Sequence, residues 1–147
     1  MAERDLVFMR RALSLAKAQK GRTGNNPSVG CVLVSPAGTV LSEAATATGG
    51  TPHAEQLALS KLDGQNLVGA TAYVTLEPCY RRSSGGPSCS ELLQSAGIAR
   101  LVCAVSDPHP NGAGGLNRLE RADIRVELGL LGEEARALYA DFFARIA

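Results

Sequence analysis

The sequence predicts an α/β sandwich, a largely parallel sheet with helices packed on both faces. Three observations carry that expectation. Short apolar runs at residues 29–34, 73–76 and 101–105 read as buried strands. Segments with helical apolar spacing alternate with them, which is the pattern of strands covered by crossover helices. The 147 residues contain no linker, repeat or low-complexity tract, so residues 1–147 are expected to form one domain, large enough to bury a core without disulfides.

Each element has its own local cause. Leu6, Met9, Leu13 and Ala16 recur at helical spacing over residues 5–19, and Gly21 and Gly24 end that helix. Residues 29–34 form a strand apolar on both faces, residues 35–38 turn it, and residues 39–45 return as a hairpin partner. Pro52 suits the first turn of a helix, which runs through Glu55, Leu57, Ala58 and Leu62 until Asp63 and Gly64 stop it. A strand follows within residues 70–77, then a polar loop over residues 78–87. Ser88 is placed to cap a helix starting at Cys89, with Glu91 at capping-box spacing. Residues 101–105 and 124–128 are further strands, joined by a loop over residues 106–115 and a short helical stretch ending near Ala122. A final helix from about Gly132 carries the stripe Ala135, Leu138, Tyr139, Phe142 and Ile146, read mostly as core packing. Phe143 lies off its centre, where a subunit interface would use it.

Composition excludes several classes of function. Fifteen basic and fourteen acidic residues give a net charge of +1, so there is no global electrostatic case for nucleic acid or membrane partners. With three Phe and three Tyr, the chain lacks the aromatic track that a single-stranded nucleic acid would stack on. No apolar run reaches the roughly 20 residues needed to span a bilayer. The first residues carry Glu3 and Asp5 rather than a signal-peptide core, so a cytoplasmic address is expected. A reducing compartment also keeps thiols available for metal. Of the four cysteines, Cys31 and Cys103 sit inside apolar runs and read as core residues.

The other two belong to the most informative constellation. His53, Cys79 and Cys89 offer one imidazole and two thiolates, a set that holds one zinc ion per chain with a fourth position open to water. Two of them stand at helix starts and one just after a strand, so all three are expected at the edge of the sheet where α/β proteins place their chemistry. Glu55, two residues after His53, is spaced to handle the protons of such a water. The competing account, a purely structural zinc, needs a fourth protein ligand. His109 is the only other histidine, and its flanking prolines make it a loop lining instead.

His-x-Glu followed by Pro-Cys and a second Cys resembles the signature of zinc-dependent nucleobase deaminases, with nine residues between the cysteines here in place of two. More closely, the segments at residues 26–31, 50–55, 73–79, 87–89, 96–98 and 107–110 resemble the deaminase domain of the bacterial riboflavin-biosynthesis deaminase-reductases. That resemblance implies a cytidine-deaminase-like, three-layer α/β/α sandwich with a five-stranded mixed sheet. It implies His53, Cys79 and Cys89 as zinc ligands and Glu55 as proton shuttle. It also implies Asn26 as a contact to the pyrimidine, with Ala54 and Glu77 lining the same pocket, and association as dimers or tetramers. The reductase domain of the family is not expected within these residues.

The departures concern the sugar-phosphate side of the family's ligand. The intercysteine loop lacks the family's Ser-His-x-Gly pattern and holds Arg81 and Arg82 instead. Thr46 stands where the family has a histidine, and the loop bearing Asp107 has His109 in place of asparagine. Arg81 and Arg82 either replace lost phosphate contacts or face solvent. Two substrates therefore remain open, both small amino-heterocycles: a phosphoribosylated aminopyrimidine of riboflavin synthesis, or a free base or nucleoside. The first predicts a phosphate-dependent rate, the second indifference to phosphate.

Overall fold

The computed structural model describes residues 2–63, 65–82 and 85–146. Gly64, expected to help stop the second helix, lies outside them, as do Ser83 and Ser84 of the intercysteine loop. In chain order the elements are α1 (Ala2–Gln19), β1 (Gly30–Val34), β2 (Val40–Ala45), α2 (Ala54–Ser60), β3 (Thr71–Val74), α3 (Cys89–Ala96), β4 (Arg100–Cys103), α4 (Gly115–Arg121), β5 (Arg125–Leu128), α5 (Gly132–Leu138) and α6 (Ala140–Ile146). The strands form one five-stranded sheet in the order β2-β1-β3-β4-β5. No described helix is long and apolar enough to cross a membrane.

Register decides which helix each side chain meets, because successive residues of a strand point to opposite faces. Val32 pairs with Glu43 and Tyr73, and Tyr73 with Val102, so these share one face with Gly30. That face receives α1. Tyr73 Oη donates to Asp5 Oδ1 at 2.6 Å, and Arg100 donates twice to the Asp5 carboxylate at 2.8 and 2.6 Å. A Cβ on Gly30 would come within 1.9 Å of the Ala12 carbonyl oxygen, so only glycine lets α1 lie this close to β1. Cys31, Leu33 and Ser42 face the other way, where Ser42 Oγ donates to the Ala58 carbonyl of α2 at 2.7 Å. Helices therefore cover both faces, and the core fills the two interlayer spaces with residues such as Met9, Leu13, Leu33, Val74, Leu93 and Leu101. This is the three-layer α/β/α sandwich.

Four expectations are corrected. The sheet is mixed, as the resemblance implies, and not the largely parallel one read from the alternation of strands and helices, since β1 runs antiparallel to both neighbours while β3, β4 and β5 are parallel. The short turn after β1 permits only a hairpin, and the crossover through α2 then sets β3 on the far side of β1. Pro52 precedes the helix instead of entering it, because His53 is the cap of α2. The expected strand at residues 73–76 ends at Val74. The long C-terminal helix is two helices broken at Tyr139, so its stripe splits. Ala135, Leu138 and Tyr139 are core, whereas Phe142 and Ile146 are swung onto the wall of the cavity described below.

Candidate metal centre and substrate cavity

Three segments bring their side chains to one point. His53 caps α2, its N–H donating to Gln56 Oε1 at 3.0 Å. Cys89 opens α3, whose start is fixed by the predicted capping box: Ser88 Oγ accepts from Glu91 N, and Glu91 Oε1 accepts from Ser88 N. Cys79 lies in the loop leaving β3, and the Cys89 N–H donates to its sulfur at 3.3 Å. A helix amino terminus aimed at a sulfur favours the thiolate.

The ligand atoms of His53, Cys79 and Cys89 all lie within 4.8 Å of one another. His53 Nδ1 is 3.4 Å from Cys89 Sγ and 3.9 Å from Cys79 Sγ. A sulfur and a nitrogen sharing a tetrahedral zinc ion stand about 3.5 Å apart, given bonds of about 2.3 and 2.0 Å. The observed separations straddle that value, so the donor set fits one such ion. No other histidine, cysteine or carboxylate among the described residues joins the group, which leaves the fourth position to a non-protein ligand.

The electrostatics match an open, working site. The Cys79 thiol is held down to about 4, first by its hydrogen bond with Cys89 and next by that with His53, against its own burial. The same sulfur–sulfur contact, together with burial, pushes the Cys89 thiol up. His53 is raised, chiefly by its bond to Cys79. Glu55 is 3% exposed, and burial, followed by the nearby Cys79 charge, pushes its carboxyl up to about 7.

A cavity of about 530 Å³ opens from this point. His53, Glu55 and Cys79 form its floor with Asn26, whose Nδ2 donates to the Gly50 carbonyl at 2.9 Å. That bond fixes the amide plane and leaves a second N–H and the Oδ1 acceptor. Arg81, Arg82, Asp107 and His109 line the cavity as well. His109 Nδ1 accepts from Asn111 N at 3.1 Å, so the proton of a neutral ring sits on Nε2. Asp107 accepts from His109 N at 2.9 Å, and burial raises its carboxyl.

The Ala54 side chain is buried in the core, while His53 and Glu55 on either side of it line the cavity. Glu77 reaches the wall, but its carboxylate accepts three backbone N–H groups, from Asp107 (2.9 Å), Gly114 (3.1 Å) and Leu116 (3.1 Å). It holds the 106–115 loop against the site. Sequence reasoning missed Phe142 and Arg145 of α6, which also line the cavity. Phe142 stacks on His109 with centroids 6.4 Å apart, and Arg145 donates to the Asn25 carbonyl at 3.2 Å. Phe142 was read as part of a packing stripe and Arg145 was not singled out; both lie on α6, beyond the break at Tyr139.

The model of the cytidine and deoxycytidylate deaminase zinc-binding region matches residues 2–105, which include all three ligand candidates and Glu55. The chain belongs to this deaminase family. Among relatives, the riboflavin biosynthesis protein RibD of Escherichia coli is 44% identical over 143 residues, covering 97% of this chain and 38% of that protein. The diaminohydroxyphosphoribosylamino-pyrimidine deaminase of Buchnera aphidicola from Acyrthosiphon pisum is 38% identical, covering 97% of this chain and 95% of its own length. Among solved structures, the Thermotoga maritima diaminohydroxyphosphoribosylaminopyrimidine deaminase/5-amino-6-(5-phosphoribosylamino)uracil reductase superposes with a TM-score of 0.90 at 35% identity, over 99% of this chain and 42% of that one. The chain thus spans about two-fifths of the longer relatives. The region characteristic of the family ends before α4, so α6, which closes the cavity, lies beyond it.

Proposed function

We propose that this chain hydrolytically deaminates a phosphoribosylated aminopyrimidine, the oxygen of water replacing the amino group on a ring carbon to give a carbonyl and ammonia, with one zinc ion held by His53, Cys79 and Cys89. The observation that carries this reading is the convergence of an open His-Cys-Cys donor set with a buried carboxyl at the floor of a cavity whose outer wall is cationic. When bound, zinc supplies a water acidified toward neutrality. Glu55 takes the proton as the oxygen attacks the amidine carbon, gives it to the ring nitrogen, and carries the second to the departing amine. Asn26 offers both a donor and an acceptor to the amide edge of a pyrimidine.

The phosphate is inferred from the wall. Arg81, Arg82 and Arg145 line the cavity, and none has an ion pair with a carboxylate among the described residues. Arg82 donates to the Pro87 carbonyl and Arg145 to that of Asn25, but the charge of these guanidinium groups is not matched by a carboxylate, which suits them to phosphate oxygens. The relatives named for diaminohydroxyphosphoribosylaminopyrimidine deamination support this substrate class. The test is ammonia release by zinc-loaded protein from that aminopyrimidine, from its dephosphorylated form, and from cytosine and guanine. Turnover confined to the phosphorylated compound is the expected result. Equal turnover with and without phosphate would assign the site to free bases or nucleosides, which the replaced intercysteine loop also suits.

A further inference from the structure

The intercysteine segment of this chain departs from its family's pattern, yet both of its ends are fixed by one side chain. Arg118 projects from α4 with one nitrogen, Nη1, 2.6 Å from the Tyr80 carbonyl oxygen, 2.9 Å from Ser88 Oγ and 3.1 Å from Ser90 Oγ. Its guanidinium lies over the Tyr80 ring, 4.0 Å from the centroid. Tyr80 is the residue after Cys79, and Ser88 and Ser90 flank Cys89. Ser90 Oγ in turn donates to the Cys79 carbonyl at 2.8 Å, and Ser88 and Ser90 are fully buried. The Glu91 carboxylate stands 3.7 Å from Arg118 Nη1 and balances its charge.

We infer that Arg118 is a positioning residue for the metal centre, setting the separation of the Cys79 and Cys89 sulfurs by holding the carbonyl of the residue after Cys79 and the hydroxyls of the two serines that flank Cys89. The inference rests on the reading of His53, Cys79 and Cys89 as metal ligands. The chemistry requires arginine. The guanidinium carbon covers the Tyr80 ring while Nη1 shares its two hydrogens among the three oxygens, whereas a lysine ammonium placed at those oxygens leaves the ring uncovered. Groups that orient metal ligands typically change metal affinity by about 10–100-fold when removed.

The test measures zinc affinity by competition with a chromophoric chelator, and the visible spectrum of the cobalt-substituted protein, for the wild type, R118A, R118K, S90A and R121A. Arg121, one turn along α4, makes no hydrogen bond to the segment among the described residues and controls for lost charge. R118A is expected to lose about 10–100-fold in zinc affinity and to shift or broaden the tetrahedral cobalt bands. R118K should fail to restore either, S90A should show a smaller loss in the same direction, and R121A should match the wild type. Should R118A not fold, the R118K and S90A comparison carries the test alone. Wild-type affinity and spectrum in R118A, or in both R118K and S90A, would overturn the role of Arg118, as would an equal loss in R121A. Wild-type protein lacking thiolate-to-cobalt charge-transfer bands would instead overturn the ligand assignment.

Discussion

Among single residues, Glu55 separates metal binding from chemistry most cleanly. Its side chain is buried beside the donor set but is not part of it. Glu55→Gln keeps the volume and removes the proton carrier, so ammonia release should fall by about 10²–10⁴-fold while metal analysis still finds one zinc per chain. Loss of zinc in that variant would mean that the carboxylate ligates. Arg145 is the complementary case. Its guanidinium donates to the Asn25 carbonyl and lines the cavity without joining the donor set, so Arg145→Ala should raise KM for the phosphorylated substrate about tenfold, the equivalent of about 1.4 kcal/mol, with kcat nearly unchanged. A matching rise for the dephosphorylated substrate would show that Arg145 does not meet the phosphate. His53, Glu55, Cys79 and Cys89 were legible in the sequence because their residue types are uncommon together and two stand at recognisable helix starts. Arg145 and Phe142 were not, since a charged or aromatic residue on a helical stripe carries no mark of the direction it faces.

At the level of elements, α1 is tied to the sheet by a partly buried charge cluster with a definite pH signature. Asp5 accepts two hydrogen bonds from Arg100, which also pairs with Glu127 on β5. The Arg100 bonds, ahead of the opposing burial, hold the Asp5 carboxyl down to about 2 from 3.8. A folded-state value below the unfolded one contributes stability above pH 4, and that contribution is lost as pH falls through about 2. Asp5→Asn should therefore destabilise by about 2 kcal/mol at neutral pH, with the difference from wild type shrinking between pH 4 and pH 2 in urea titrations. A gap unchanged across that window would assign the loss to packing. Tyr139 plays the corresponding part at the break between α5 and α6. Its hydroxyl donates to the Ser28 carbonyl at 2.8 Å and meets Thr75 Oγ1, with the ring fully enclosed. Tyr139→Phe should cost about 1–3 kcal/mol by leaving buried polar atoms unpaired, read as a lower urea midpoint. Caps and strands were legible where local chemistry decides them, as at Ser88–Glu91. The break at Tyr139 was not, because its cause lies in hydrogen bonds to residues more than sixty positions away.

For the whole molecule, the turn at residues 35–38 announced the antiparallel pairing of β1 with β2, but that of β1 with β3 was hidden: apolar runs report burial and not direction, and β1 is buried on both faces whichever way it runs. The sandwich itself has a further consequence. The metal ligands come from α2, α3 and the loop after β3, three segments whose relative placement the core already fixes through residues such as Leu33, Ala58, Val74 and Leu93. Zinc is therefore expected to bind a formed site rather than to create the fold, unlike small domains that are unfolded without metal. Its effect on stability follows from mass action, about 2.7 kcal/mol at free zinc 100 times the dissociation constant. For a chain of this size each kcal/mol moves the melting temperature by roughly 2–4 °C. Chelation should thus lower the melting temperature by about 5–11 °C while the far-ultraviolet circular dichroism and the single cooperative transition persist. Collapse of the spectrum on chelation would instead make the metal part of the folding core, and the three segments would have to be regarded as assembled by the ion rather than by the sheet beneath them.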